Sequence, residues 1–223
     1  MTKVMYALWG SGLDKALHAP TLHARLSAAG AETLQLNICD DDVAAARLRL
    51  STYEEPIAAI VGVWTDGANG PVTEALATVA DRVDGWIVDE RVPLPPPPAE
   101  NGARHEALAN VALLRVPADQ TRDQWLRYWH DTHTQVAIDT QATIGYVQNA
   151  VTAALTPGAR VDGLVEELFP MAAMTDQHAF WGSAGDDAEL QRRVARMLSS
   201  ISAFGADRDI DVVPTSRYRY RLT

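Results

Sequence analysis

At 223 residues, 47% of them hydrophobic and 22% charged, the chain can hold one large domain or two of roughly 100 residues, each with a modest core. A formal net charge of -10 repels phosphate backbones and anionic lipid, so neither nucleic acid nor a membrane is expected as a partner. No apolar run approaches the roughly 20 residues of a membrane span, and MTKVMYALWG is too quickly interrupted for a signal peptide, so a cytoplasmic protein is expected.

Lys3 to Trp9 reads as a strand, followed by a helix with Pro20 in its first turn and Gly30 as its stop. Thr33 to Ile38 and Ile57 to Trp64 are strand candidates rich in branched residues, with DDDVAAARLRLSTYEE between them expected as an extra helix. The lone Cys39 sits among apolar residues with nothing nearby to lower its pKa, which suits a buried thiol. Val72, Leu76, Val79 and Val83 recur at helical spacing, and Trp86 to Val92 closes the first half as a strand. PLPPPP then excludes helix and central strand, so a linker is placed at residues 93–105, between halves at 1–92 and 106–223.

The second half repeats the order. Ala107 to Val116 is a strand, and Thr121 to Ala137 a helix opening on a Thr-x-x-Gln capping box. Ile144 to Thr152 and Val161 to Met171 are strands, Glu189 to Ile201 a helix, and Ile210 to Tyr220 a strand. Each half therefore reads β-α-β-β-α-β, the ferredoxin-like pattern. Helices cover one face of such a sheet and leave the other bare, so the two halves are expected to cover each other in a barrel-like sandwich.

At about 100° per residue, Trp125, Leu126, Trp129, His133 and Val136 fall in one arc of the helix from Thr121, with His130 at its edge. His133 thus faces the sheet with the apolar stripe. A histidine so placed is either a hydrogen-bonded core residue or an acid/base. Glu166 and Glu167 are adjacent on a strand and must point to opposite faces, so only one can share a cavity with His133. Tyr146 could donate to a developing oxyanion or pack with its hydroxyl at a rim. His130 and His133 form an H-x-x-H pair, but no third ligand stands at a defined spacing and no phosphate-binding loop is present. No metal, haem, flavin or nicotinamide is expected.

The stretch RYWHDTHTQVAIDTQATIGYVQNAV, from Arg127 to Val151, resembles the signature of the EthD domain family: a Tyr-Trp pair, a histidine, then a Tyr-x-Gln-Asn strand. DGLVEELF from Asp162 resembles that family's third strand, with Glu166 on its acidic position, and Phe204 fits the phenylalanine before the last strand. The likeness spans about 115 residues and implies the dimeric α+β barrel fold. It puts His133 in the family histidine's place, Tyr128 and Trp129 in that of the aromatic pair, and Tyr146, Gln148 and Asn149 in the strand motif. Thr134-Gln135 stands where the family usually has Ala-Pro. The first half keeps His18-Ala19-Pro20 without the aromatic pair and looks like a degenerate copy.

On this reading His133, Tyr146 and Glu166 are the candidate catalytic residues, and Tyr128, Trp129, His130, Asn149 and His18 the candidate substrate contacts. The expected activity is a cofactor-independent lyase that dehydrates or decarboxylates a small aromatic or polyketide-like molecule. A cofactor-free monooxygenase and a haem or small-ligand binding protein are the alternatives, and homodimer formation stays open.

Overall fold

The computed structural model describes residues 1–222. The first half comprises β1 (Thr2–Trp9), α1 (Leu13–Leu17), α2 (Pro20–Ala28), β2 (Ala31–Ile38), β3 (Ala59–Thr65), α3 (Asn69–Ala77) and β4 (Arg82–Leu94). The second comprises β5 (Leu108–Leu114), α4 (Arg122–Tyr128), α5 (Thr134–Thr140), β6 (Gly145–Ala154), β7 (Gly163–Phe169), α6 (Gln177–Trp181), α7 (Asp187–Ala203) and β8 (Asp211–Arg221). The eight strands close one barrel in the order β1-β3-β2-β8-β5-β7-β6-β4. Each half supplies four neighbouring strands in the ferredoxin-like order, and the halves join edge to edge by antiparallel pairing of β2 with β8 and of β4 with β6. The bare sheet faces expected from the pattern become the inside of the barrel.

Alternation along each strand divides the apolar residues between two layers. Met5, Ala7, Trp9, Ile60, Trp86, Val88, Val111, Leu113, Val151, Leu164 and Val213 fill the barrel. The opposite parity faces the helices: Val4, Tyr6, Leu8, Val61 and Val63 in the first half, and Ala112, Leu114, Tyr146, Ala150 and Val165 in the second. Towards one end the barrel interior turns polar. Glu166 there is ion-paired with Arg217 at 3.0 Å and accepts from Asn37 at 2.7 Å and from Gln35 at 3.1 Å. Arg217 also donates to His105 Nε2 at 2.8 Å, which fixes that ring's proton on Nδ1. Such a buried network persists only because its members satisfy one another.

Three local features depart from the sequence reading. The helix expected between β2 and β3 is a single 3₁₀ turn at Asp41–Val43, followed by extended chain. Its backbone groups are taken by β8 instead: Leu50 N donates to Val212 O at 3.1 Å and Val212 N to Leu50 O at 2.9 Å. A short isolated helix has little intrinsic stability to set against such bonds. Strand β4 continues through Pro93 to Leu94, because its register on β6 shifts between Arg91 and Leu94 and no ladder bond is asked of the proline.

The third departure lies in the helix from Thr121. Its capping box forms as expected, with Thr121 and Gln124 bonded reciprocally. Residues Trp129–His133 then make one π-helical turn before α5 begins. The wider turn rotates the helix beyond it, so Thr134 and Ala137 are buried while Val136 is only partly so. Thr134 Oγ1 turns back to donate to Trp129 O at 2.8 Å and receives Gln148 Nε2 at 2.9 Å. π-Helical turns of this kind often mark functional sites.

Candidate functional site

Between the sheet and the helices of the second half lies a cavity of about 390 Å³, within the usual range for a small-ligand site. Its floor is the helix-facing side of β5, β6 and β7. Trp129 and His133 from the π turn and Met197, Leu198 and Ile201 from α7 form its walls. Leu48 and Leu50 reach over from the first half, held in place by the Leu50–Val212 pairing and by Thr52 on the Asp211 carboxylate. Leu48, Leu50 and Leu198 are exposed, giving the rim an apolar lip.

A polar row crosses the floor. Asn110 on β5 pairs in register with Glu167 on β7, and Glu167 with Tyr146 on β6, so three neighbouring strands present these side chains on the same face. Gly163, four pairs further along β7, leaves room for the two mutually tilted indoles above it: a Cβ there would lie 2.7 Å from the Trp129 ring and 3.0 Å from that of Trp125. His133 Nδ1 is 3.0 Å from Ser200 Oγ of α7, and its ring packs on Phe204 with centroids 4.5 Å apart. Nδ1 is thus occupied, and Nε2 is the nitrogen left for a ligand.

Burial sets the protonation states. It pushes His133 down to about 4, with no charged neighbour opposing it, so the ring is neutral at pH 7. It pushes the Glu167 carboxyl up to about 7, leaving it poised between acid and carboxylate. The Tyr146 phenol is raised chiefly by burial and further by the Glu167 charge, and remains a proton-bearing donor. Glu167 is partly accessible because it faces the cavity, yet its Oε1 is buried without a hydrogen-bond partner.

The residues singled out in sequence therefore separate. His133, Trp129 and Tyr146 line the cavity together. Glu166 does not: strand parity turns it into the barrel, where Arg217 holds it, and its neighbour Glu167 takes the place in the cavity. Asn149 shares the barrel-facing parity and donates to Leu164 O at 3.3 Å, so it too lies on the wrong side of the sheet. Tyr128 stacks on Phe204 at 5.8 Å, and His130 lies 5.4 Å from the Trp129 ring; neither lines the cavity. His18 is in the first half, with Nδ1 2.5 Å from Tyr220 OH. Where β7 carries Val165, Glu167 and Phe169 towards its helices, β3 carries Ala59, Val61 and Val63, all fully buried.

Sequence reasoning passed over Asn110, Gln141 and Ser200. Asn110 had a signal, a lone amide inside the apolar strand LANVALL. Gln141 and Ser200 had none, since one follows a helix end and the other is a small residue on a long helix. Among the described residues no group of three or more His, Cys, Asp or Glu is placed to hold a metal ion, and no helix is long and apolar enough to cross a membrane.

Fold and site together define a single-chain α+β barrel of two ferredoxin-like halves, with a largely apolar cavity in the second that His133, Tyr146 and Glu167 help to line. Two solved structures share the architecture. One, described as an anthrone oxidase-like protein, aligns over 99% of this chain and 92% of its own with a TM-score of 0.55 and 8% identity. The other, a putative monooxygenase from Fusobacterium nucleatum subsp. nucleatum, aligns over 97% and 91% with a TM-score of 0.50 and 8% identity. No family model and no curated protein matches the chain. Likeness at such identity speaks for the fold.

Proposed function

We propose that this chain is an enzyme that moves protons on a small, mostly apolar aromatic or polyketide-like molecule held in the second-half cavity, with loss of water or carbon dioxide. The observation that carries this reading is the row of Glu167 and Tyr146 facing neutral His133 inside an apolar wall. A base works best when its pKa lies near the working pH, and Glu167, at about 7, meets that condition better than His133, at about 4. In dehydration of a β-hydroxy ketone, the Glu167 carboxylate takes the proton next to the carbonyl while the Tyr146 hydroxyl donates to the developing enolate oxygen. The C–O bond then breaks as the double bond forms, and the departing hydroxide takes the proton back from Glu167 as water. His133 Nε2 is assigned to bind the departing oxygen, with Ser200 orienting the ring.

The EthD-like order of Tyr128-Trp129, His133 and Tyr146-x-Gln148-Asn149 agrees with a histidine that meets the substrate in this half. A second reading is favoured by the descriptions of the two similar structures as anthrone oxidase-like and monooxygenase: the carbanion left by the same proton removal would be captured by oxygen. The test is 3-hydroxy-1-tetralone, which loses water to give 1-naphthol, followed by mass spectrometry and with an oxygen electrode in parallel. Acceleration without oxygen uptake, abolished in a folded Glu167→Gln variant, supports the lyase. Oxygen uptake moves the assignment to the second reading, and equal rates in wild type and variant overturn the role of Glu167.

A further inference from the structure

The cavity states what its ligand must carry. Three of its lining residues hold buried oxygen atoms with no hydrogen-bond partner: Asn110 Oδ1, Gln141 Oε1 and Glu167 Oε1. Leaving a buried polar atom unpaired is costly, so a ligand that pairs several at once gains affinity from each. For the two amides, oxygen and nitrogen can exchange places by a flip, and a hydroxyl, which both donates and accepts, suits either orientation. An ether oxygen, which only accepts, suits the flipped orientation alone, and a bare ring suits neither.

Charge narrows the class further. Among the described residues no lysine or arginine lines the cavity, and its ionisable members are Glu167, Asp207, Tyr146 and the neutral ring of His133. The elements packed around it bring no buried cation to Glu167: Arg217 lies across the sheet on Glu166, and Arg193 and Arg196 of α7 are committed to Glu189 and Asp139. An anionic ligand would be buried without a counter-charge and beside a carboxyl that must then keep its proton. Burial of such an uncompensated ion is strongly unfavourable.

We infer that the ligand of this cavity is an uncharged, polyhydroxylated fused-ring molecule, and that carboxylate-bearing analogues of the same frame are rejected. The inference rests on the cavity being the ligand site of the proposed enzyme and narrows that reading: the leaving group is then hydroxyl, as water, rather than carboxylate, as carbon dioxide. At about 390 Å³ the space suits two or three fused rings.

Equilibrium dialysis of the whole chain against 2,7-dihydroxynaphthalene, naphthalene and 2-naphthoate at neutral pH tests it without any turnover. The diol should bind about tenfold to a hundredfold more tightly than naphthalene, the range expected for pairing one or two orphaned polar atoms. It should bind at least as far ahead of 2-naphthoate, whose affinity should rise as pH is lowered and fall as it is raised. Asn110→Leu and Gln141→Leu keep the side-chain size and remove unpaired polar atoms, so they should fold at least as stably as wild type. In them the preference for the diol over naphthalene should shrink by about tenfold. Ala112→Phe, which fills the cavity, should abolish binding of all three probes if the site is where it is placed. Naphthoate or naphthalene binding as tightly as the diol, still lost in Ala112→Phe, overturns the selectivity and leaves the cavity as a ligand site. Diol binding that survives a folded Ala112→Phe, or no binding of any probe, overturns the cavity itself and the proposed enzyme with it.

Discussion

Replacing Glu167 by glutamine keeps the side chain's shape and removes its charge, which makes it the sharpest probe of the cavity. The folded chain holds the Glu167 proton up to about pH 7, whereas an unperturbed glutamate releases it near 4.5. A raised carboxyl of this kind contributes stability that is complete below about pH 4.5 and is lost as the pH rises through about 7. That displacement corresponds to about 3 kcal/mol if the cavity is dry, and to less in proportion as water enters it. The Glu167→Gln variant cannot lose this stability, because it carries no ionisable group there. Urea unfolding from about pH 5 to pH 8 should therefore show wild type and variant close together at the acid end. At the alkaline end the variant should be ahead by up to about 3 kcal/mol, or roughly 6–12 °C in melting temperature. A stabilised but inactive protein is the expected signature of a residue kept for chemistry at the expense of the fold. Parallel curves for the two proteins over this range would refute the argument, since Glu167 would then ionise like a surface carboxylate.

Glu166→Gln should behave in the opposite way: it leaves Arg217 without its charge partner inside the barrel, costing about 3–5 kcal/mol, while turnover per folded molecule stays unchanged. Denaturant midpoints and active-site-normalised rates check both parts. Acid should destabilise the chain between about pH 6.5 and 4, because His133 and His105 are both held down to about 4 when folded and take up protons first when unfolded. Each contributes no more than about 3 kcal/mol, and the slope should flatten in His133→Asn when unfolding is followed across that window. Gly163→Ala should cost about 1–3 kcal/mol by forcing a methyl group into the Trp125 and Trp129 rings, read as a lowered melting temperature with disturbed indole near-ultraviolet dichroism.

The strands were legible because their alternation is strict and both faces are needed. YALW and GVW serve two different layers at once, and no helical reading of them buries both sets. The edge-to-edge seams could be anticipated only as a need to cover bare faces, since nothing in β2 or β8 alone names its partner. The loop after Cys39 has helix-forming residues, yet its backbone pairs with β8, a partner some 160 residues away that local propensity cannot register. The π turn escaped for a related reason: an even step of 100° describes Trp125 and Trp129 correctly and fails only beyond the inserted residue, at Val136. His133 stands before that slip has accumulated and so falls on the correct face. Glu166 and Glu167 could not be told apart, because both strand parities around them are apolar and only the register with Asn110 and Tyr146 decides which one meets the helices.

Joining the two halves in one chain has a consequence that a pair of identical subunits could not reach. Subunits related by symmetry must carry the same residue at equivalent places, so a destabilising buried carboxyl would appear twice. Here β7 places Glu167 against its helices while β3 places valines against its own. The sheet–helix layer of the first half is thereby free to be purely apolar. Through the shared seams that half lends two leucines of the rim to a neighbour whose own layer holds a cavity and unpaired polar atoms. Substitutions tolerated by one half need not be tolerated by the other. A mutational scan of the whole chain should therefore split at the proline run: the sheet–helix layer of the first half should be sensitive chiefly through folding, and that of the second through turnover.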